Sequence, residues 1–340
     1  MSSVLWYVHD HGVGHLRRCQ AVLPHLRSDV VVASSLPALD RRVPGIRTAT
    51  LPSDRVERPE LGPGPLHYAP RGPVARDRAS ALLDVMAAHD CSTAVVDVSA
   101  ETAVLCRLAG LRLVVVRQSG RRDDAPHRLA HDCADVVWVP QHEAVEPGIE
   151  DIPSRRCTGA FSRFDQRPPD RERARERLGV AEDQRLVVCL LGAGGSSFPV
   201  EAWRAAPPDE VEVAILGLGD RWSTGSVTSW ASVEDPYDHL CAADLVVAGA
   251  GWASVHDAAS ASSRLVVVPE DRPFDEQRVR ARALADEGVL LALDRWPVPS
   301  DLPDLFDDVG ALDVGRWKDI YDRCGAQRAA ALIDEVHARG

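Results

Sequence analysis

A chain of 340 residues, 45% of them hydrophobic, is long enough to bury two separate cores, so two compact domains are expected rather than one. A formal charge of -12 repels polyanions and sets nucleic acid aside as a partner, and with Lys318 the single lysine, the arginines reflect codon bias rather than a phosphate-binding signal. No early apolar stretch follows a basic leader and no run of about 18 apolar residues occurs, so export and membrane spanning are not indicated and a cytoplasmic, soluble protein is expected. Eight cysteines without a CxxC pair argue against a zinc ribbon or a disulfide framework and read as buried, reduced thiols.

Along the chain, "VLWYV", "DVVVA", "TAVVDV", "LRLVVV" and "DVVWV" are short apolar runs, each followed by a polar turn and a stretch with helical spacing. This alternation predicts successive βα units on a parallel sheet. The Pro- and Gly-rich segment 51–73 is too long for an ordinary connection and is expected to be a functional or mobile loop overhanging an inter-domain cleft. Apolar periodicity lapses in "CTGAFSRFDQRPPDRERARERLG", which places the linker near residues 159–170. A second series follows with "RLVVCLL", "EVEVAIL", "DLVVAGA" and "RLVVVP". The expected domains are therefore 1–160 and 170–315, with a helix over 316–340, weak at Gly325, available to pack back on the first.

The first strand runs into "HDHGVGHLRRC", where Gly12 and Gly14 sit at a strand-to-helix turn. Glycines there let backbone N–H groups approach a ligand, and a helix N-terminus favours negative charge. The stretch lacks the third glycine of a dinucleotide fingerprint and the Gly-Lys-Ser/Thr of a triphosphatase loop. His11 and His15 have i, i+4 spacing, but no HExxH occurs, so no metal is expected. His15 is either a helix-start residue bonding its own turn or a general base, since imidazole titrates near neutral pH.

The second domain repeats the device in "VVCLLGAGGSSF", where Gly192, Gly194, Gly195 and Ser196 form either a diphosphate nest or a merely flexible turn. "DLVVAGAGWASVHDAASASSRLVVVPEDRPFDEQ" leads a buried strand into Gly249 and Gly251, then a small-residue helix carrying Asp257, and ends with Asp275, Glu276 and Gln277 at another helix start. Such polar groups at the carboxyl ends of strands suit ribose and sugar hydroxyls. In the first domain Asp97, Ser99 and Glu101 follow one strand and Arg117 to Arg122 the next. Asp97 either orients or deprotonates a hydroxyl or caps the helix starting near Ala100.

Together, "GVGHLRRC" and "AADLVVAGAGWASVHDAASASSRLVVVPEDRPFDEQRVRARALADEG" resemble the GT-B glycosyltransferases of the MurG type, in domain order and over most of the chain. The Gly-x-Gly-His-x-x-Arg-Cys form also resembles the PseG-type nucleotide-sugar hydrolases. The resemblance implies an α/β fold of two Rossmann-like parallel-sheet domains facing a cleft, and metal-independent, inverting transfer from a nucleotide sugar, usually a UDP-sugar, to an acceptor hydroxyl. It places donor contacts at Gly12, Gly14, Gly194, Gly195, Ser196, Val233, Gly251, Trp252, Asp257, Glu276 and Gln277. The implied base is His15, with Asp97 and Glu101 as rivals, and His11, Arg117 and Arg121 are expected on the acceptor side. Asp257 stands where the family has Glu, and Glu276 where it has the first of two Gln. No clear apolar, basic membrane-facing patch is evident in the first domain, which points to a soluble acceptor or to a surface the sequence does not reveal. A nucleotide-sugar hydrolase and a non-catalytic nucleotide-sugar binding protein are the alternatives.

Overall fold

The computed structural model describes residues 2–10, 14–53, 55, 60–192, 195–205, 211–230 and 233–339. The chain divides into two units, the first of Met1–Glu143, Gly148–Gly159 and Gly325–Gly340, the second of Ala144–Pro147 and Ala160–Cys324. The main division falls between Gly159 and Ala160, at the start of the 159–170 stretch read as the linker.

The first unit holds a seven-stranded sheet of β1 (Ser3–Val8), β2 (Val30–Ser34), β3 (Arg47–Thr50), β4 (Cys91–Asp97), β5 (Arg112–Val116), β6 (Val136–Val139) and β7 (Arg155–Cys157). All pairs are parallel, in the order β3-β2-β1-β4-β5-β6-β7. The second unit builds β8 (Arg185–Leu190), β9 (Val211–Leu216), β10 (Trp222–Thr224), β11 (Val227–Trp230), β12 (Leu245–Gly249), β13 (Leu265–Val268) and β14 (Leu291–Ala292). Its order is β10-β11-β9-β8-β12-β13-β14, parallel except for the antiparallel β10–β11 pair. Helices cover the faces, so the central strands are apolar throughout, as in β1, where every residue is buried. One face of the first sheet packs Leu5, Tyr7, Val96 and Leu113 against Ala103, Cys106, Leu82 and Met86 of flanking helices.

In both sheets the chain starts in the middle and reverses direction, at β1/β4 and at β8/β12. Those reversals are where open α/β sheets leave a crevice beyond their carboxyl ends. Gly14 follows β1 and Gly192 follows β8, so the chain leaves both strands at these reversals.

Two expectations are corrected. Residues 316–340 do not form one helix. Helices Trp317–Ile320 and Gly325–Ala338 are separated by extended Tyr321 and left-handed Arg323 (φ 62°). Gly325 therefore starts a helix rather than weakening one. The helix Gly325–Ala338 belongs to the first unit, where Asp334 accepts from Arg27 N and Ser28 N, both at 3.1 Å, and from Ser28 Oγ at 2.6 Å. Of the cysteines, Cys19, Cys106, Cys189 and Cys241 are buried, but Cys91, Cys133 and Cys157 are only partly covered and Cys324 is exposed. All are free thiols. No helix among the described residues is long and apolar enough to cross a membrane.

In the second unit the 321–323 stretch is tied to residues 162–167. Asp165 accepts from the Tyr321 hydroxyl and from Arg323 Nε, the latter at its carbonyl, 3.0 Å away. Burial raises the Asp165 carboxyl to about 6 despite those partners and Ser162 N–H. The folded form thus holds the proton more tightly than an unfolded chain. Its contribution is full below about pH 4 and lost as pH rises through about 6. Relative to Asp165→Asn, the wild type is expected to lose on the order of 2–3 kcal/mol between about pH 4 and about pH 7. Denaturant unfolding of both proteins across that range checks this, and parallel curves would contradict it.

Candidate active site

In the first unit, the parallel register pairs Val8 with Asp97, bringing the end of β4 beside the turn that follows β1. The helix Gly14–Val22 begins at that turn. His15 and Arg18, three residues apart, share a helix face. His15 Nδ1 lies 3.0 Å and Arg18 Nη1 2.6 Å from the same Asp97 oxygen, Oδ1. Asp97 is fully buried and Arg18 is 1% exposed. Burial pushes the Asp97 carboxyl up, but Arg18 and His15 outweigh it and hold the group below the usual carboxylate range. Its other oxygen, Oδ2, is buried with no hydrogen-bond partner among the described residues, so compensation of this charge falls on Oδ1.

An ionised carboxylate only accepts, so His15 Nδ1 carries a proton and donates it to Asp97. That is the arrangement of an oriented imidazole base. Asp97 is therefore the hydrogen-bond partner of His15. It is not the helix cap: Ser99 caps the helix Ala100–Leu108, accepting from Thr102 N at 3.2 Å. Val98, between them, has φ 63°. That conformation is costly for a β-branched residue, and such strain gathers at functional turns.

Glu101 stands in the first turn of that helix, partly exposed. Arg117, expected at the acceptor, is instead 3% exposed and clamps its own loop, donating to the carbonyls of Gln118, Gly120 and Gly148. Arg121 is exposed on the same loop. Gly14 meets open space where a Cβ would stand. His11 and Gly12 lie outside the described residues.

Sequence reasoning gave no role to the neighbouring polar relay. The Tyr68 hydroxyl donates to Asp124, whose other oxygen meets His127 Nδ1. Arg122 spans His127 Nε2 at 2.9 Å and Gln118 Oε1 at 3.0 Å, and Gln118 Nε2 lies 3.4 Å from His15 Nδ1. The Tyr68 hydroxyl thus ties the 51–73 segment, whose described residues include a bridge between Leu61 and Pro70, to Asp124, while Gln118 borders His15 without a hydrogen bond, since its Nε2 and the Nδ1–H that serves Asp97 are both donors. The signal available in the sequence was Asp124 at N-cap spacing before Pro126.

In the second unit the segment after β8 carries Gly195 with φ 87°, so glycine is required there by conformation. A Cβ on either Gly192 or Gly195 would meet nothing within 4 Å, and Gly192 has no left-handed φ. Gly195→Ala is expected to cost about 1–2 kcal/mol through the backbone alone, while Gly192→Ala leaves stability unchanged. Equal melting temperatures for the two variants would contradict the argument. Ser196 and Ser197 donate to Glu270, a residue unassigned by sequence reasoning.

Gly251 is the N-cap of the helix Trp252–Ser260, which has no side-chain cap bond, and Arg280, 1% exposed, donates to Ala250 O at 2.8 Å and fixes the turn. Trp252 is 8% exposed and packs edge-on against Phe161 with ring centroids 5.0 Å apart, so it serves the core rather than an open turn. Asp257 is 3% exposed, accepts from Ser162 Oγ at 2.6 Å and lies 3.6 Å from Arg163 Nε. Val233 packs, half-buried, on the unit's core. Glu276 starts the helix Glu276–Asp286, partly exposed, behind left-handed Phe274 (φ 63°) and Asp275 (φ 53°). Gln277 accepts from Glu270 N at 2.9 Å, and its amide lies over Gly249 and Gly251. Gly194 lies outside the described residues. Among the described residues no three His, Cys, Asp or Glu side chains gather as a metal-ligand set.

Two helix-covered sheets, parallel but for the β10–β11 pair, define the chain as a double Rossmann-like protein of GT-B fold. No protein-family model and no curated protein sequence matches it. Among solved structures it is similar to MurG of Acinetobacter baumannii, with TM-score 0.63, 17% identity and coverage of 98% of this chain and 99% of that one. The spinosyn rhamnosyltransferase SpnG gives TM-score 0.63 at 19% identity over 99% and 96% of the two chains. A UDP-glucosyltransferase of Polygonum tinctorium gives 0.67 at 14% over 97% and 94%. At such identities the likeness is one of fold.

Proposed function

We propose that this chain is a glycosyltransferase that moves a sugar from a pyrimidine nucleoside diphosphate sugar, UDP-sugar first, to the hydroxyl of a soluble cytoplasmic acceptor, with inversion. The observation that carries the reading is the buried Asp97 carboxylate holding His15 Nδ1 at 3.0 Å beside the first glycine turn. The glycosyltransferases sharing the fold support it, as does the thymidine diphosphate complexed with SpnG in one of its structures.

In this mechanism His15 Nε2 takes the acceptor's hydroxyl proton as its oxygen attacks the anomeric carbon. The bond from that carbon to the diphosphate oxygen breaks, and the electron pair leaves with the diphosphate. Backbone N–H groups at Gly195 and at the uncapped helix start after Gly251 stabilise the departing charge, without a metal. Gly12, Gly14 and Gly194 belong to the same glycine turns. Glu276 and Gln277 contact the donor sugar. Asp257 meets the ribose by exchanging its Ser162 partner, and the Val233 backbone reads the base. His11, Arg121 and Glu101 face the acceptor.

The test is a panel of nucleotide sugars assayed for released nucleoside diphosphate with and without a mixture of hydroxyl acceptors. Release that requires acceptor supports transfer. Release without acceptor identifies a hydrolase, and binding without release identifies a sensor.

A further inference from the structure

Glu270 follows Pro269 at the carboxyl end of β13, and its side chain turns toward the segment after β8. Oε1 accepts from Ser196 Oγ at 2.8 Å, Ser197 N at 2.9 Å and Trp296 Nε1 at 2.9 Å, and Oε2 accepts from Ser197 Oγ at 3.1 Å. Two hydroxyls, a backbone N–H and an indole N–H around one anion are the donors that a phosphate oxygen recruits. A hydroxyl has a single proton, so the Ser196 hydrogen committed to Glu270 is not at the same time available to a diphosphate. A second anion beside a diphosphate also repels it. The segment does not depend on the carboxylate alone for its position, because Arg272 Nη2 donates to Gly195 O at 2.7 Å. The Glu270 backbone is held from the other side by Gln277, and its side chain is partly exposed, with water within reach.

We propose that Glu270 is an internal anion occupying the diphosphate donors of the second glycine turn, a charge gate that donor phosphates displace and that returns to expel the nucleoside diphosphate product. This rests on the donor site proposed above. It assigns Glu270 to the control of phosphate affinity rather than to chemistry.

The experiment is isothermal titration of wild type, Glu270→Gln and Glu270→Ala with UDP and TDP and with uridine and thymidine. The expected result is diphosphate binding about tenfold tighter in Glu270→Ala, with a smaller gain in Glu270→Gln, which keeps an acceptor but drops the charge. Nucleoside affinity stays the same in all three. Diphosphate affinity unchanged or weakened in both variants, with wild type binding normally, overturns this proposal alone and makes Glu270 a structural clasp. Wild type that binds no nucleotide overturns the donor-site reading and the gate with it. Glu270→Gln guards against a folding defect, because it retains a partner for Trp296 and both serines.

Discussion

His15→Ala is expected to lower turnover by about 10²–10⁴-fold, the range supplied by a positioned general base. Nucleotide affinity should not change, because the substitution lies in the first unit and the donor groups named above lie mostly in the second. The fold should persist as well, since Asp97 keeps its 2.6 Å bond to Arg18. Asp97→Asn tests the tautomer. Because His15 and Arg18 share Oδ1, an amide that turns its nitrogen there donates to Nδ1 and leaves Arg18 without that acceptor, and one that keeps its oxygen there carries no charge to hold the imidazole, so the base is lost and stability falls with it. A loss similar to that of His15→Ala is predicted, with the double variant no worse than either, as for residues acting as one unit. Full activity in His15→Ala would move the base elsewhere, and Glu101 would be the next residue to replace.

Arg18→Met is expected to have the largest effect on stability, about 3–5 kcal/mol, because it leaves a fully buried carboxylate with half its compensation. The sign with pH follows from the depressed Asp97 carboxyl. In wild type its stabilisation is present above the ordinary carboxylate range and is lost as pH falls through the folded value. Without Arg18 that value rises, so the penalty is greatest at neutral pH and shrinks on acidification as the lone carboxylate takes up a proton. Urea unfolding of wild type and Arg18→Met at neutral and acid pH gives the difference directly. A penalty that grows toward acid pH would show that Asp97 is not the charge at stake.

The central strands were legible because each carries a short, mainly apolar run that is buried on both faces. The edge strands β3, β7, β10 and β14, and β11 beside β10, were not, since segments such as "RTAT" and "RRC" are short, partly exposed and without an apolar run. The glycine-bearing stretches after β1 and β8, and His15, stood out in the sequence as candidates. The pairing of His15 and Arg18 with Asp97 did not, because Arg18 and Asp97 alone are 79 residues apart and only the strand order that sets β4 beside β1 brings the three together. Read linearly, Asp97 could be a cap or a base, and the neighbouring serine proved to be the cap. Arg117 misled for a related reason: a loop arginine looks available until its guanidinium is found clamped by carbonyls. Glu270 went unassigned because an acidic residue in the turn "PEDRPFDEQ" reads as solvated, and nothing local signals that Ser196, Ser197 and Trp296 converge on it.

The most direct measurement is the melting temperature of the purified protein against UDP, TDP and purine nucleoside diphosphates. A ligand at about 100 times its dissociation constant adds about 2.7 kcal/mol to the unit that binds it. The account predicts a clear upward shift with a pyrimidine nucleoside diphosphate, larger than with the nucleoside and retained in His15→Ala. A melting temperature unmoved by every nucleotide would contradict it.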